Sequence, residues 1–197
     1  MIFLQGFLLG LTLQLSVGPV FFTVLHKAIK QGFAEALKMT SAVTLVDAFY
    51  IGISFTAISA LIKIQYLHRI ISMLGMFVLI YFGINYIKNA NKKSIAAESG
   101  NIENSFFYGL KLTALNPLTI IFWSGTFGSL IAGGKLIGMQ NIILYAAGCL
   151  TATVLFLGSV SFTGQYIKKF VNEKVLRIMD YTVGIVLIAF GIHLFFR

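Results

Sequence analysis

The stretch Leu15–Thr23, with the sequence LSVGPVFFT, places a Gly-Pro pair inside an apolar run that would otherwise form one continuous membrane helix. No charged residue occurs from Ile2 to Leu25, which is long enough for a helix to cross a hydrocarbon core of about 30 Å. Pro19 has no N–H, and its ring collides with the carbonyl four residues earlier, so the helix must break there. Irregular backbone at membrane depth is tolerated where it is buried in protein or lines a wet cavity, so the sequence predicts a binding site at this break.

A second break of the same kind is predicted at Asn116-Pro117, and its proline and Pro19 are the only two in the chain. Each proline should leave the carbonyl four residues earlier without its helical partner, which predicts free carbonyls at Leu15 and Thr113. The half-helices that begin at Gly18-Pro19 and at Asn116-Pro117 should point N–H groups with partial positive charge into a common space.

Composition excludes a soluble domain, because 58% of the 197 residues are hydrophobic, 11% are charged and the mean hydropathy is +0.90. We predict an all-α integral membrane protein with six apolar segments: Ile2–Leu25, Met39–Ile62, Ile70–Ile87, Ser105–Ala132, Leu136–Tyr166 and Ile178–Phe196. The N-terminus has no basic region or cleavage site and therefore predicts a retained first helix. Cys149 is the only cysteine, which excludes internal disulfides and a multi-cysteine metal site.

The net charge of +9 does not indicate a nucleic-acid partner, because Lys and Arg fall between the apolar segments and not on one basic face. Ten of them follow the first, third and fifth segments: Lys27, Lys30, Lys38, Lys88, Lys92, Lys93, Lys168, Lys169, Lys174 and Arg177. By the positive-inside rule, these odd-numbered loops are cytoplasmic and both termini lie on the outer face.

The polar stretch at residues 91–104 is the only candidate linker, and it divides the chain into two three-helix repeats at residues 1–90 and 105–197. Gly10 in FLLGL precedes the first break as Gly109 in FFYGL precedes the second. At a constant offset of 108, residues of the third segment recur in the sixth: Arg69, Ile70, Val78, Leu79, Ile80, Phe82, Gly83 and Ile84 as Arg177, Ile178, Val186, Leu187, Ile188, Phe190, Gly191 and Ile192. An odd number of spans per repeat inverts the second copy, which is a plan of secondary transporters.

Asp47 lies inside the second apolar segment, where an ionisable group costs on the order of 3 kcal/mol unless it is paired, hydrated or protonated. Helical spacing places polar residues on one stripe of that helix: Thr40, Thr44, Asp47, Tyr50 and Ser54. This stripe should face into the bundle, where Asp47 could take up and release a proton. The alternative is a structural carboxylic acid that hydrogen-bonds between helices.

An α-amino acid suits such a site, because its carboxylate seeks N–H dipoles and its ammonium group seeks an anion or a free carbonyl. Four residues flank the breaks and either line the pocket or join helices: Gln14, Ser16, Trp123 and Ser124. We expect Lys111 to extend to the cytoplasmic surface. We expect Asp180 either to pair with Arg177 at the membrane interface or to act as an anion in the first turn of the last helix. The histidines, His26 among them, are scattered near segment ends without metal-ligand spacing, so neither a metal site, a cofactor nor catalysis is predicted.

Together, Gly18-Pro19 followed by Gly32, Asp47, and Leu-Asn-Pro at 115–117 resemble the lysine exporter (LysE/RhtB) family of bacterial amino-acid exporters, along essentially the whole chain. The resemblance implies proton-coupled export of small amino acids or related metabolites across the bacterial inner membrane, with both breaks and Asp47 in the central site. Family members often have Pro-Gly-Pro and Asn-Pro-Lys, whereas this chain has Val17-Gly18-Pro19 and Asn116-Pro117-Leu118. Any contact that depends on that lysine is therefore in doubt.

Two other functions stay open at this stage. One is export of a divalent metal, although hard cations take several oxygen anions and the predicted core has one acid, Asp47. The other is a membrane subunit that transports nothing. Small-residue faces such as Gly148 with Ala152 predict close helix packing, either within the monomer or in a homodimer.

Overall fold

The computed structural model describes residues 1–15, 18–54, 65–90, 104–132 and 135–195, and every regular element in these ranges is helical. The α-helices are α1 Ile2–Leu15, α2 Pro19–Gln31, α3 Phe33–Ile53, α4 Gln65–Asn89, α5 Ser105–Ala114, α6 Pro117–Ala132, α7 Met139–Ile167 and α8 Glu173–Phe195, with a 3-10 turn at Lys168–Phe170. The predicted all-helical class is confirmed. The predicted linker lies outside the described residues except for Asn104, whose side chain caps the first turn of α5 by accepting the N–H of Phe106.

Both predicted breaks separate two helices, and each proline is the first residue of the second helix. Gly18 caps α2 with extended backbone, and the axes of α1 and α2 differ by 77°. The carbonyl of Asn116 accepts the N–H groups of Thr119 and Ile120 and so begins α6. Proline is well suited to the first helical position, because an N–H there would have no partner within the helix.

The prediction of a free carbonyl at Thr113 is wrong. This carbonyl accepts the N–H of Asn116 at 3.1 Å, because the last turn of α5 tightens as the helix ends. The carbonyl of Ala114 accepts the Tyr50 hydroxyl instead, at 2.5 Å. The corresponding carbonyl of Leu15 borders residues 16–17, which lie outside the described ranges.

Three helices in the described ranges are long and apolar enough to cross a membrane: Phe33–Ile53, Met139–Phe170 and Glu173–His193. The bent pair Ile2–Gln14 and Pro19–Gln31 makes a fourth candidate span, and Met76–Lys88 is a shorter apolar helix. The six predicted segments are therefore reproduced in part. The fourth of them is divided into α5 and α6 by the Asn116 break.

The predicted first loop is wrong in extent. Only Gly32 separates α2 from α3, so Lys27, Lys30 and Lys38 lie within helices and not in a connection. Gly32 has a φ of +94°, a backbone conformation that glycine adopts without the steric cost of a Cβ atom. Lysines near helix ends reach water with their long side chains, which is why hydropathy placed the boundary too early.

Several helix ends meet at this turn. The N–H of Phe33 donates to Oε1 of Gln165 at 2.8 Å, which places the end of α7 beside Gly32. The hydroxyl of Ser105, the first residue of α5, contacts the side chain of Gln31 at 3.4 Å. We call the region formed by these five residues the Gly32 end of the bundle.

Glycines allow α1 and α7 to pack with their backbones in contact. A Cβ atom added to Gly6 would lie 2.1 Å from the carbonyl oxygen of Tyr145, and one added to Gly148 would lie 2.2 Å from that of Phe3. Neither position can accept a side chain without a backbone shift. The small-residue face at Gly148 is thus filled within the chain.

Two pairs of glycine contacts repeat between the halves of the chain. A Cβ at Gly10 would lie 2.7 Å from the Cys149 carbonyl oxygen, and one at Gly109 would lie 3.0 Å from that of Met39. In both cases the Cβ of an alanine three residues further on is also in contact.

A second reciprocal pair of glycine contacts lies between α4 and α8. A Cβ at Gly83 would lie 2.7 Å from Cγ1 of Ile188, and one at Gly191 would lie 3.3 Å from Cγ1 of Ile80. These residues correspond at the offset of 108 that the sequence shows.

Candidate substrate site around Asp47

Asp47 is the centre of a hydrogen-bonded network that joins four helices. The residue is 3% exposed, and the indole nitrogen of Trp123 donates to its Oδ1 at 2.8 Å. The hydroxyl of Thr153 contacts Oδ2 at 3.4 Å, and the amide nitrogen of Gln14 donates to that hydroxyl at 2.8 Å. The network therefore connects α3 to α6, α7 and the end of α1 just before the first break.

The carboxylate lies between two apolar clusters. Val43, one turn before Asp47, belongs to a cluster formed mainly by α2, α3, α4 and α8. Ile51, one turn after it, belongs to a second cluster that contains Trp123 and Tyr145. Each buried polar atom in such surroundings needs a hydrogen-bond partner, and the network supplies partners to both carboxylate oxygens.

Both helix breaks lie at a depth similar to that of Asp47. Counted from the Gly32 end, Asp47 lies 14 residues after Phe33 and Pro19 lies 12 residues before Gln31, which correspond to about 21 Å and about 18 Å of helix. Asn116 lies 11 residues after Ser105, or about 17 Å from the same end.

We call the level of Asp47 and the two breaks the Asp47 layer. Within it, Tyr50 and Gln14 connect α3 and the Asp47 network to the two breaks. The Tyr50 hydroxyl bonds the Ala114 carbonyl, which is the last of α5, and Gln14 lies at the end of α1. Pro19 and Asn116 are buried, and Gly18 is half-buried.

The other predicted site residues are placed less centrally. The hydroxyl of Thr44 donates to the Thr40 carbonyl of its own helix at 2.9 Å and takes no part in the network. Ser16 lies outside the described residues, and so do the side chains of Pro117 and Ser124.

Sequence reasoning missed Thr153, which bridges Gln14 and Asp47. The available signal was a pair of threonines, Thr151 and Thr153, in an otherwise apolar run. Only the second faces the network, since the hydroxyl of Thr151 donates to the Ala147 carbonyl one turn earlier.

A second buried ionisable cluster lies nearer the Gly32 end. Asp180 is 3% exposed, accepts a hydrogen bond from Nζ of Lys30 at 2.8 Å and contacts Nε2 of His26. The predicted pair with Arg177 is therefore wrong, and His26 is not an isolated residue at a segment end. Burial explains both differences, because a carboxylate inside the bundle pairs with the polar groups that face it from the neighbouring helix.

The described residues hold no group of three or more His, Cys, Asp or Glu side chains able to bind a metal ion. Cys149 is buried and its thiol donates to the Gly6 carbonyl at 3.1 Å, between α1 and α7. Lys111 is exposed on α5.

Residues 11–197 match the family model of the LysE type translocators. The chain belongs to the LysE type translocator family. The resemblance predicted from the sequence is thus confirmed, and the family is one of amino acid efflux transporters.

Three curated relatives of this translocator align over nearly its whole length. The putative amino acid efflux protein YcgF of Bacillus subtilis is 28% identical over 98% of this chain and 94% of the relative. The threonine efflux protein of Salmonella typhimurium is 26% identical over 98% of this chain and 97% of the relative. The arginine exporter protein ArgO of Pectobacterium carotovorum is 24% identical over 98% and 96%. No solved structure matches the chain.

Proposed function

We propose that this protein is a secondary transporter that exports amino acids or related small metabolites, by proton antiport with Asp47 as the coupling group. The observation that carries the proposal is a buried carboxylate that is hydrogen-bonded to two other helices, and through Thr153 to a third, at the depth of two proline-initiated half-helices. Ionisable groups inside membrane helices commonly mark substrate and proton pathways. The names of the relatives support an amino-acid substrate.

The substrate site would lie between the breaks. The N-terminal ends of α2 and α6 carry the partial positive charge of the helix dipole, which suits a carboxylate. In α6 the N–H groups of Thr119 and Ile120 already bond the Asn116 carbonyl. Asp47 suits an ammonium group when it is ionised. The wall of this substrate site would be formed by Gly18, Pro19, Asn116 and Pro117. A role in substrate binding is supported by the hydrogen bonds of three further residues, Gln14, Tyr50 and Trp123.

The direction of the hydrogen bonds suggests how protonation couples to the break. Thr153 accepts from Gln14 and therefore has its own hydrogen for Asp47, and Trp123 can only donate. Both groups that contact Asp47 thus act as donors, which suits an ionised carboxylate. Protonating Asp47 on Oδ2 adds a donor that faces Thr153, so the hydroxyl hydrogen of Thr153 must turn to another acceptor. We expect this reorientation to change the contact between Thr153 and Gln14 beside the first break.

The transport cycle would use two inverted repeats, residues 1–90 and 105–197, joined by the linker at 91–104. The exchanged contacts of Gly10 with Gly109, and of Gly83 with Gly191, support this relation. Alternating access would then expose the layer of Asp47 to each side in turn as the repeats rock.

We place the Gly32 end in the cytoplasm of a bacterial inner membrane, with both termini outside. Support comes from the contacts among Gln31, Phe33, Ser105 and Gln165, which bring the ends next to the first, third and fifth loops together. These loops and the helix ends beside them are richest in Lys and Arg. A homodimer stays a prediction.

Export of a divalent metal is not favoured. Both oxygens of Asp47 are engaged by Trp123 and Thr153, and the described residues place no second carboxylate beside it. Hard cations need several oxygen ligands.

The test is transport in proteoliposomes that contain the purified protein. An inward-directed proton gradient should drive efflux of a labelled amino acid, screened from a panel that includes threonine and arginine. Asp47→Asn should abolish gradient-driven efflux, whereas the control Glu35→Gln, in the first turn of the same helix, should keep it. Efflux by Asp47→Asn at the normal rate would exclude the coupling role.

A further inference from the structure

The cluster of His26, Lys30 and Asp180 joins two helices that are far apart in sequence. His26 and Lys30 lie one turn apart on α2, and both contact the carboxylate of Asp180 on α8. His26 is 5% exposed and Asp180 3%, whereas the Lys30 side chain is 24% exposed. The cluster is therefore buried on one side and reaches solvent through the lysine.

Polar groups continue from this cluster toward the first break. The positions of Pro19, Thr23, His26 and Lys30 follow helical spacing and lie on one face of α2. The hydroxyl of Thr23 donates to the Pro19 carbonyl at 2.8 Å. The ring of Tyr86 on α4 lies edge-on to the His26 ring, at 5.0 Å between centroids.

The cluster lies between the Asp47 layer and the Gly32 end. His26 is five residues before Gln31, or about 8 Å of helix, whereas Asp47 is about 21 Å from that end. A proton that leaves Asp47 toward the cytoplasm must pass this depth. Imidazole is the side chain suited to hold it there, because it titrates near neutral pH.

The charged and titratable groups around His26 come from several helices. Asp180 faces it from α8, Tyr86 faces it from α4, and Lys27 and Lys30 come from its own helix. On the neighbouring elements, Tyr108 of α5 lies under Lys27, Glu35 of α3 is paired with Lys38, and Lys168 contacts the Lys30 carbonyl. Asp180 is thus the anion in contact with the imidazole.

We infer that His26 and Asp180 form a second proton-binding site, through which the proton released by Asp47 reaches the cytoplasm. The inference rests on the proposed function. A proton that binds neutral His26 gives an imidazolium ion, whose charge Asp180 balances, and its transfer to water restores the neutral ring. Lys30 supplies the counter-charge to Asp180 while His26 is neutral.

The competing role is a purely structural ion pair that holds α2 against α8. The two roles differ in what they require, because exchange of substrate for substrate moves no net proton. A structural pair is needed for exchange and for net transport alike, whereas a proton site is needed only for net transport.

The experiment compares gradient-driven efflux with substrate counterflow in proteoliposomes. For His26→Gln and Asp180→Asn we expect driven efflux to fall by about tenfold or more. Counterflow should stay close to that of the wild type, and the melting temperature should fall, because each variant loses a partner in a buried hydrogen bond. The control Lys174→Gln removes an exposed charge in the first turn of α8 and should leave both rates unchanged. Equal loss of both rates, or no loss of either, would overturn the inference.

Lys30→Gln provides a second test that leaves the His26–Asp180 contact in place. Removing this positive charge favours the protonated imidazole, so the pH at half-maximal driven efflux should rise relative to the wild type. An unchanged pH profile would count against the site even if the buried variants fail to fold. A wild-type protein without counterflow of any amino acid would overturn the proposed function itself, which distinguishes the two failures.

Discussion

Trp123 and Asp47 are 76 positions apart in sequence, yet the indole nitrogen of one lies 2.8 Å from Oδ1 of the other. Both side chains are buried, and Trp123 is the only tryptophan in the chain. The contact fixes the orientation of the carboxylate and ties α3 to the half-helix α6. A movement of α6 must therefore change the surroundings of Asp47.

Trp123→Phe keeps an aromatic ring but removes the donor. An unsatisfied buried acceptor costs about 1–3 kcal/mol, so the free energy of unfolding in detergent should fall by that amount. The Trp123 N–H stabilises the ionised form of Asp47. Without it the acid keeps its proton to a higher pH, so the pH at half-maximal driven efflux should rise. Phe127→Leu is the control, since it perturbs the same apolar cluster without removing a hydrogen bond, and it should leave that pH unchanged.

Thr153→Val removes the hydroxyl between Gln14 and Asp47 at nearly constant volume. We expect loss of driven efflux and a coupling energy of about 1 kcal/mol with Gln14→Leu in a double-mutant cycle of unfolding. The hydroxyl of Thr151 bonds only its own helix in the described structure, so Thr151→Val should preserve efflux. Strict additivity of the Thr153 and Gln14 variants would show that the two side chains do not act as a unit.

Gly148→Ala should destabilise the protein by about 1–3 kcal/mol, because the new methyl group would meet the backbone of α1. The matched control is Gly158→Ala in the same helix, where nothing lies within 4 Å of an added Cβ. That change should raise stability by about 0.5–1 kcal/mol through helix propensity. Thermal unfolding in detergent measures both, and similar melting temperatures would contradict the observed packing of α1 on α7.

Gly32→Ala places a Cβ at a backbone φ of +94°, which should cost about 1–3 kcal/mol of stability. Gly52→Ala is the control, because Gly52 is helical and exposed, with open space around it. The same unfolding assay compares the two variants. A neutral Gly32→Ala would mean that the turn between α2 and α3 relaxes easily.

Local rules predicted the two breaks and the inward face of α3. Proline removes an N–H wherever it occurs, so Pro19 and Pro117 had to interrupt their helices. The stripe around Asp47 follows from helical periodicity, and none of its members is fully exposed to the surroundings.

The partners of the buried acids could not be predicted in the same way. Asp180 and Lys30 are 150 positions apart, and Asp47 and Thr153 are 106 apart. The sequence alone favoured Arg177, three residues earlier, as the partner of Asp180. Asp180 instead is buried against α2, where His26 and Lys30 contact it. Helix ends were also misplaced near Lys30, since hydropathy does not distinguish a lysine in a terminal helical turn from one in a loop.

The paired glycine contacts bear on the origin of the chain. Gly83 touches Ile188 as Gly191 touches Ile80, so each half presents the same groove and the same ridge to the other. Two identical half-length polypeptides related by a two-fold axis would make both of these glycine–isoleucine contacts with the same residues. Gene duplication followed by fusion would then have needed only a connecting peptide, and the two halves produced from separate genes should reassemble in one membrane.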